Sequence, residues 1–313
     1  MHARTHARRK RALRALAALL LALLPACSRN PARPGPGNEA VLWTRVTAST
    51  AQEPDFADWR GDSIAFEVVE SAVHHLAVET DSGSGEAFFP TAAPTGDHTP
   101  RWVRPGLLVY SSDFAGTMDL WYLEVATGAT RRLTAFAGDE LTPVPRPGGP
   151  GLAYVERSGS GPGRIVLLPD TAATPLSRYY LTPPSLDASE PSWDPSGSSL
   201  CFTTPDASGH PHVWRLSLAD TLAVELTTGS SDDRSPRYSP DGARILFASD
   251  RNGLPGVWTV SPAGEGASLV ALAFDVPGAE IRHPAWSPDG KRILLSSDRT
   301  GARALWILSG PGL

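Results

Sequence analysis

The sequence predicts an all-β protein: a six-bladed β-propeller of four-stranded antiparallel blades, its ring closed by the N-terminal strand. Three observations predict it. The first is self-similarity. Ser235-Pro236-Arg237-Tyr238-Ser239-Pro240-Asp241-Gly242 recurs as His283-Pro284-Ala285-Trp286-Ser287-Pro288-Asp289-Gly290, and again as Glu190-Pro191-Ser192-Trp193-Asp194-Pro195-Ser196-Gly197. The second is the period. Pro54, Pro100, Pro143, Pro191, Pro236 and Pro284 start six units at steps of 43 to 48 residues, a spacing that belongs to propellers and solenoids. The third is the content of each unit. A short entry strand begins at the proline, and a β-rich run such as Leu108-Val109-Tyr110 follows. An apolar landmark comes next (Leu76, Trp121, Ile165, Trp214, Trp258 or Trp306), and a fourth strand ends near Arg132-Leu133-Thr134 or Glu225-Leu226-Thr227. Four short strands between turn signals describe a propeller blade.

In chain order, residues 1–26 are set apart from the fold. Arg4, Arg8, Arg9, Lys10, Arg11 and Arg14 form a basic start, and the apolar run Ala15–Leu24 is too short for a resident membrane helix. It ends in Leu24-Pro25-Ala26-Cys27, which resembles the lipobox of bacterial lipoproteins. The resemblance implies a signal peptide over 1–26, a lipidated Cys27 as the mature N-terminus, and a location in the cell envelope. With Ser28 after the cysteine, it further implies lipid anchoring to the outer membrane, facing the periplasm. An ordinary secretory signal with an incidental cysteine is the alternative. Residues 27–38, rich in Pro, Gly and Arg, read as a flexible tether, and 39–313 as the propeller.

Cys201 is the second of two cysteines. Without Cys27 it has no partner for an internal disulfide and reads as a small buried hydrophobe. Loss of residues 1–26 moves the net charge from −5 to −11, which gives the chain no electrostatic reason to bind nucleic acid.

The turns have a local mechanism. In Ser239-Pro240-Asp241-Gly242 the proline presets φ, the glycine supplies positive φ, and the Ser and Asp side chains accept backbone N–H groups. Asp250-Arg251-Asn252-Gly253 and Asp298-Arg299-Thr300-Gly301 mark the next hairpins. None has the run of acidic ligands that a calcium loop needs. The last unit stops after Trp306-Ile307-Leu308, one strand short, whereas Val41–Thr47 precedes the first unit and reads as a fourth strand. Joining them closes the ring and removes two exposed sheet edges.

Pro284 to Leu294 and the Ser-Asp-Arg-x-Gly segments resemble the WD40-like PD40 repeat of TolB-type propellers, over roughly residues 40–310. That resemblance implies a protein-binding propeller of the bacterial envelope. The same repeat builds the propellers that gate peptidases.

Catalytic motifs are scarce. No Gly-x-Ser-x-Gly elbow, His-Glu-x-x-His pair or phosphate-cradling loop occurs. His74 and His75 are adjacent in a strand and so point to opposite faces. His210 and His212 share a face, but spacing supplies them no third ligand, so neither metal nor cofactor is predicted. The residues just before each proline should sit at the mouth of the central channel, which makes Glu53, His98, Glu190, Arg234, Arg282 and His283 the candidate binding residues. The expected function is a membrane-anchored, non-catalytic scaffold for an envelope protein, peptide or glycan ligand. The alternative is a propeller enzyme, or an accessory to a peptidase or glycan lyase, acting on an acidic glycan or peptide in the channel.

Overall fold

Each unit folds into a small antiparallel sheet, and the reason is visible in its burial. The second strand of each blade carries an apolar stretch, with Leu152–Val155, Leu200–Phe202 and Ile245–Phe247 buried on both faces, because blades pack face to face around a ring. The computed structural model describes residues 41–47, 53–83, 96–263, 269–311 and 313. Cys27 and the predicted signal and tether lie outside the described residues.

Residues Glu39–Leu313 form one compact unit. Blade one contains β2 (Asp55–Arg60), β3 (Ser63–Glu70) and β4 (Val73–Thr80). Blade two contains β5 (Asp97–Arg104), β6 (Leu107–Ser112), β7 (Asp119–Glu124) and β8 (Ala129–Arg132). Blade three holds β9 (Asp139–Pro145), β10 (Leu152–Arg157), β11 (Arg164–Leu168) and β12 (Tyr179–Tyr180). Blade four holds β13 (Ser189–Trp193), β14 (Ser199–Pro205), β15 (Pro211–Ser217) and β16 (Ala223–Glu225). Blade five runs through β17 (Asp233–Tyr238), β18 (Ile245–Ser249), β19 (Gly256–Val260) and β20 (Leu269–Phe274). Blade six is β21 (Ile281–Trp286), β22 (Arg292–Ser297) and β23 (Ala304–Ser309), completed by the N-terminal β1 (Leu42–Arg45). Blade one shows three strands instead of the four expected; residues 84–95, which follow β4, lie outside the described set. Among the described residues the helical content is a single 3-10 turn at Pro184–Leu186, and no helix is long and apolar enough to cross a membrane.

The ring closes as the ends of the sequence predict. Leu42 pairs with Ser309, Trp43 with Leu308, Thr44 with Ile307 and Arg45 with Trp306. Val46 continues the ladder, donating its N–H to the Leu305 carbonyl at 2.9 Å, and is buried with Leu294, Leu305 and Ile307. The innermost strands β2, β5, β9, β13, β17 and β21 each touch the next around the channel.

Each core cluster is drawn from neighbouring blades. One joins Ala65 and Leu76 of blade one to Trp102, Tyr110 and Trp121 of blade two. A second device recurs at the edge: an arginine of one blade lies over the tryptophan at or next to the end of the next blade's inner strand. Arg146 covers Trp193, Arg244 covers Trp286 at 4.7 Å, and Arg292 covers Trp59 at 4.5 Å, the last across the seam. The Ser-Pro-Asp-Gly turns form as expected. The Ser239 hydroxyl donates to Asp241 and accepts the Arg244 N–H at 3.0 Å, and Gly242 has φ +72°. A Cβ on Gly242 would sit 3.3 Å from Pro195 of the preceding blade's turn, so the glycine serves packing between blades as well as backbone conformation. Cys201 is fully buried, and burial pushes its thiol well above the ordinary range, as befits a small apolar residue.

Candidate functional site

Every inner strand breaks register at an equivalent place, with a bulge between Asp55 and Asp58, His98 and Arg101, Ser189 and Ser192, Arg234 and Arg237, and Arg282 and Ala285; β5 has a second break between Trp102 and Arg104. The same break falls in β9, opposite Ala153 and Val155. At each bulge stands a non-glycine residue in the left-handed region: Phe56, Thr99, Thr142, Glu190, Ser235 and His283, with φ between 47° and 55°. Such a residue costs of order 1–2 kcal/mol, so six of them around one channel are a constructed ring. The bulge frees a backbone N–H from the ladder, and carboxylates take it up. Thr99 N–H donates to Glu67 Oε2 at 3.2 Å and Ser235 N–H to Glu190 Oε2 at 2.8 Å, each across a blade boundary.

This ring corrects the alignment of the first unit. Phe56-Ala57-Asp58-Trp59 occupies the place of Thr99-Pro100-Arg101-Trp102, so Ala57 stands where the other five units have proline. Pro54 lies upstream, its carbonyl accepting the Ser296 hydroxyl at 2.7 Å. Glu53, a predicted mouth residue, is exposed and precedes the strand; Asp55 stands beside the ring position in its place.

The structure brings His283 and Glu190 together from blades six and four. His283 Nδ1–H donates to Asp55 Oδ1 at 2.5 Å, its ring stacks on Phe56 with centroids 3.7 Å apart, and its Nε2 lies 3.7 Å from Glu190 Oε1. Glu190 also accepts the Ser235 hydroxyl at 2.8 Å and the Thr203 hydroxyl at 3.1 Å. Burial raises the Asp55 carboxyl, but the adjacent His283 and the Phe56 N–H more than offset this and hold it below the ordinary carboxylate range. An imidazole held at Nδ1 by one carboxylate, with Nε2 facing a second, has the arrangement of a general acid–base group.

Arg234 and Arg282 stand further out and are about half exposed. Arg234 pairs with Asp232 at 2.8 Å, and Arg282 with Glu280 at 2.6 Å and Asp55 at 3.8 Å. Both line an open cleft of about 450 Å³ between blades five and six, with Asp250 and Glu280. A larger cavity of about 650 Å³ lies between blades two and three, lined by Tyr122, Arg131 and Arg146 away from this ring. His98 is separate from both, beside Glu67 and His74.

Asp55, Phe56, Glu67 and Arg101 escape sequence reasoning. Arg101 is buried, donating to the Phe56 and Pro100 carbonyls. Aligning the first unit on Trp59 instead of Pro54 would have found Asp55 and Phe56. Nothing in the spacing marks Glu67.

Comparison with known proteins follows the same lines. Residues 182–309 match the family model PD40, TolB beta propeller domain. The chain is 29% identical over 152 residues to the Tol-Pal system protein TolB of Francisella tularensis subsp. tularensis (strain WY96-3418), covering 48% of this chain and 34% of the relative. It therefore spans about a third of the length of the curated relatives it matches. The fold resembles that of a putative TolB from Agrobacterium tumefaciens (TM-score 0.57, 22% identity, 68% of this chain and 73% of the other). It also resembles oligogalacturonate lyase from Vibrio parahaemolyticus (TM-score 0.59, 11% identity, 88% and 95%). Residues 182–309 are thus similar to the PD40 repeat of TolB propellers, and they lie within a six-bladed ring of the same fold.

Proposed function

We propose that this propeller is a lipid-anchored scaffold of the cell envelope that binds a protein or peptide partner at the mouth of its channel. In this reading residues 1–26 are a signal peptide, Cys27 carries the lipid, and 27–38 tether the propeller to the outer membrane on its periplasmic side. The observation that carries it is the cleft holding Arg234 and Arg282 beside the polar ring. Two half-exposed guanidiniums, Arg234 held by Asp232 and Arg282 by Glu280 and Asp55, can exchange a carboxylate partner for one of an incoming chain. Similarity to proteins named for the Tol-Pal system supports a protein partner.

Two outcomes are expected. Cys27→Ala should move the protein from the membrane fraction to the soluble fraction. An unmodified Cys27 by intact-mass analysis of the wild type would defeat the anchoring. A partner captured from cross-linked envelopes should bind the Arg234→Ala/Arg282→Ala variant at least ~10-fold more weakly, by about 1.4 kcal/mol. Unchanged affinity would remove the cleft from the binding surface.

The Asp55–His283 pair favours a second reading, acid–base chemistry in the channel on an acidic glycan or peptide. Turnover of such a substrate by the purified protein, abolished by His283→Gln, would establish it in place of the scaffold.

A further inference from the structure

We propose that Glu67, His74 and His98 form a binding site for a divalent transition-metal ion of the zinc type, at the junction of blades one and two. The three residues come from β3, β4 and β5, and one ligand atom from each lies within 4.8 Å of the others. Glu67 is buried. Its Oε2 is fixed by the Thr99 N–H, which leaves Oε1 facing His74 Nδ1 at 2.5 Å and His98 Nδ1 at 3.2 Å. Both Nδ1 atoms thus approach the same carboxylate oxygen, and the two imidazoles are tilted at 45° with centroids 4.3 Å apart.

The charge balance calls for a cation. The ion pairs of Glu67 are with these two imidazoles, and among the described residues no lysine or arginine pairs with it. A buried carboxylate lacking a permanent counter-charge is costly, and a divalent ion supplies one. Two imidazoles and a carboxylate suit zinc, whereas calcium and magnesium require oxygen ligands throughout. Bonds of about 2.0–2.1 Å to a tetrahedral ion separate donors by roughly 3.3 Å. The two imidazole distances to Glu67, 2.5 and 3.2 Å, lie within 1 Å of that, and the two histidine side chains are 36% and 27% exposed and so have room to adjust. The same exposure leaves a fourth position open to water or to a ligand's carboxylate.

The backbone next to His98 leaves space for its ring. A Cβ at residue 96 would meet His98 Nε2 at 2.9 Å, so Gly96 makes room for the ring. Asp113 accepts the Gly96 N–H at 2.8 Å through Oδ1, which fixes the backbone beside the ring. His98 also precedes the bulge of its strand, as Arg234 and Arg282 do in theirs. The ion would therefore stand on the same rim of the ring, although the site does not depend on what binds there.

The experiment is zinc titration of the full chain, purified in detergent and stripped with a chelator, by competition with a chromophoric chelator. One Zn2+ per chain is expected at a Kd below about 1 µM. His74→Ala and His98→Ala should each weaken it about 100-fold or more, while His75→Ala, on the opposite face of β4, binds as the wild type does. Co2+ in place of zinc should give the visible bands of a four-coordinate ion, and these should vanish in both variants. Anomalous diffraction from a zinc-soaked wild-type crystal locates the ion independently of how the variants fold. No binding by the wild type at micromolar zinc, undiminished binding by the His74→Ala/His98→Ala double variant, or an anomalous peak elsewhere would overturn the proposal.

Discussion

Deleting residues 39–47 is expected to lower the melting temperature by at least about 10 °C and to drive self-association. The segment contributes the whole of β1, its four register pairs with β23, and the Val46 N–H bond to Leu305. It also supplies Thr47, whose hydroxyl accepts the Leu305 N–H at 3.1 Å. Val46 is buried in the core of blades one and six, and Trp43 packs edge-on against Trp306. Buried apolar side chains contribute about 2 kcal/mol each and ladder hydrogen bonds about 1 kcal/mol each, so the loss is at least about 5 kcal/mol. For a domain of this size each kcal/mol corresponds to roughly 2 °C or more. The exposed edge of β23 should then template association. Thermal melting and light scattering on the deletion variant check both effects. A monomer melting at the wild-type temperature would show that the seam is not held by β1.

Arg299→Ala should cost about 3 kcal/mol or more, a surprising amount for a residue in a surface turn. Its guanidinium lies 3.8 Å from the Trp43 ring centroid and 5.3 Å from that of Trp306. Its Nε is 3.3 Å from Asp275 Oδ1, and the Asp275 side chain is fully buried. Removing one member of a buried ion pair typically costs about 3–5 kcal/mol, because the other charge is left without its partner. Trp43 belongs to the closing strand, so the arginine clamps the seam as well. Chemical denaturation of Arg299→Ala beside Arg234→Ala measures the difference. Arg234 is half exposed and paired at the rim, so its loss should cost under about 1 kcal/mol, and equal costs would refute the clamp.

The ring, its six units and its closure were legible because their signals are local or repeated. Turn residues mark each hairpin, apolar runs mark each second strand, and an orphan third strand at Trp306–Leu308 calls for a partner. The site was only partly legible. Glu190 and His283 were identified from their place before a proline, and the structure sets them 3.7 Å apart. The same rule selected Glu53 because it took Pro54 for the repeat proline, when the left-handed bulge in β2 falls at Phe56. Contacts between blades are set by the radial packing of sheets, and no spacing along the chain encodes that. For this reason His74 looked isolated beside His75, and its companions Glu67 and His98 emerged only when blade one was placed against blade two. The role of Arg299 was hidden in the same way: as a turn residue it resembles Arg251, and its stacking on Trp43 joins opposite ends of the sequence.

The seam also sets an order in time. Blades one to five are each built from contiguous sequence, so their strands can pair as soon as they exist. The residues of β1 must wait for β23, at the far end of the sequence, before they have anything to pair with. A pairing this distant along the chain bears its loop-closure entropy before it gains any contact energy, which makes it a slow, late step. Until then β1 and the edge of β23 are both available to other chains, the condition in which long β-rich sequences aggregate. Folding of this propeller therefore has a vulnerable interval whose end is a single event, the docking of four residues. A faster docking of β1 is therefore expected to raise the yield of native protein.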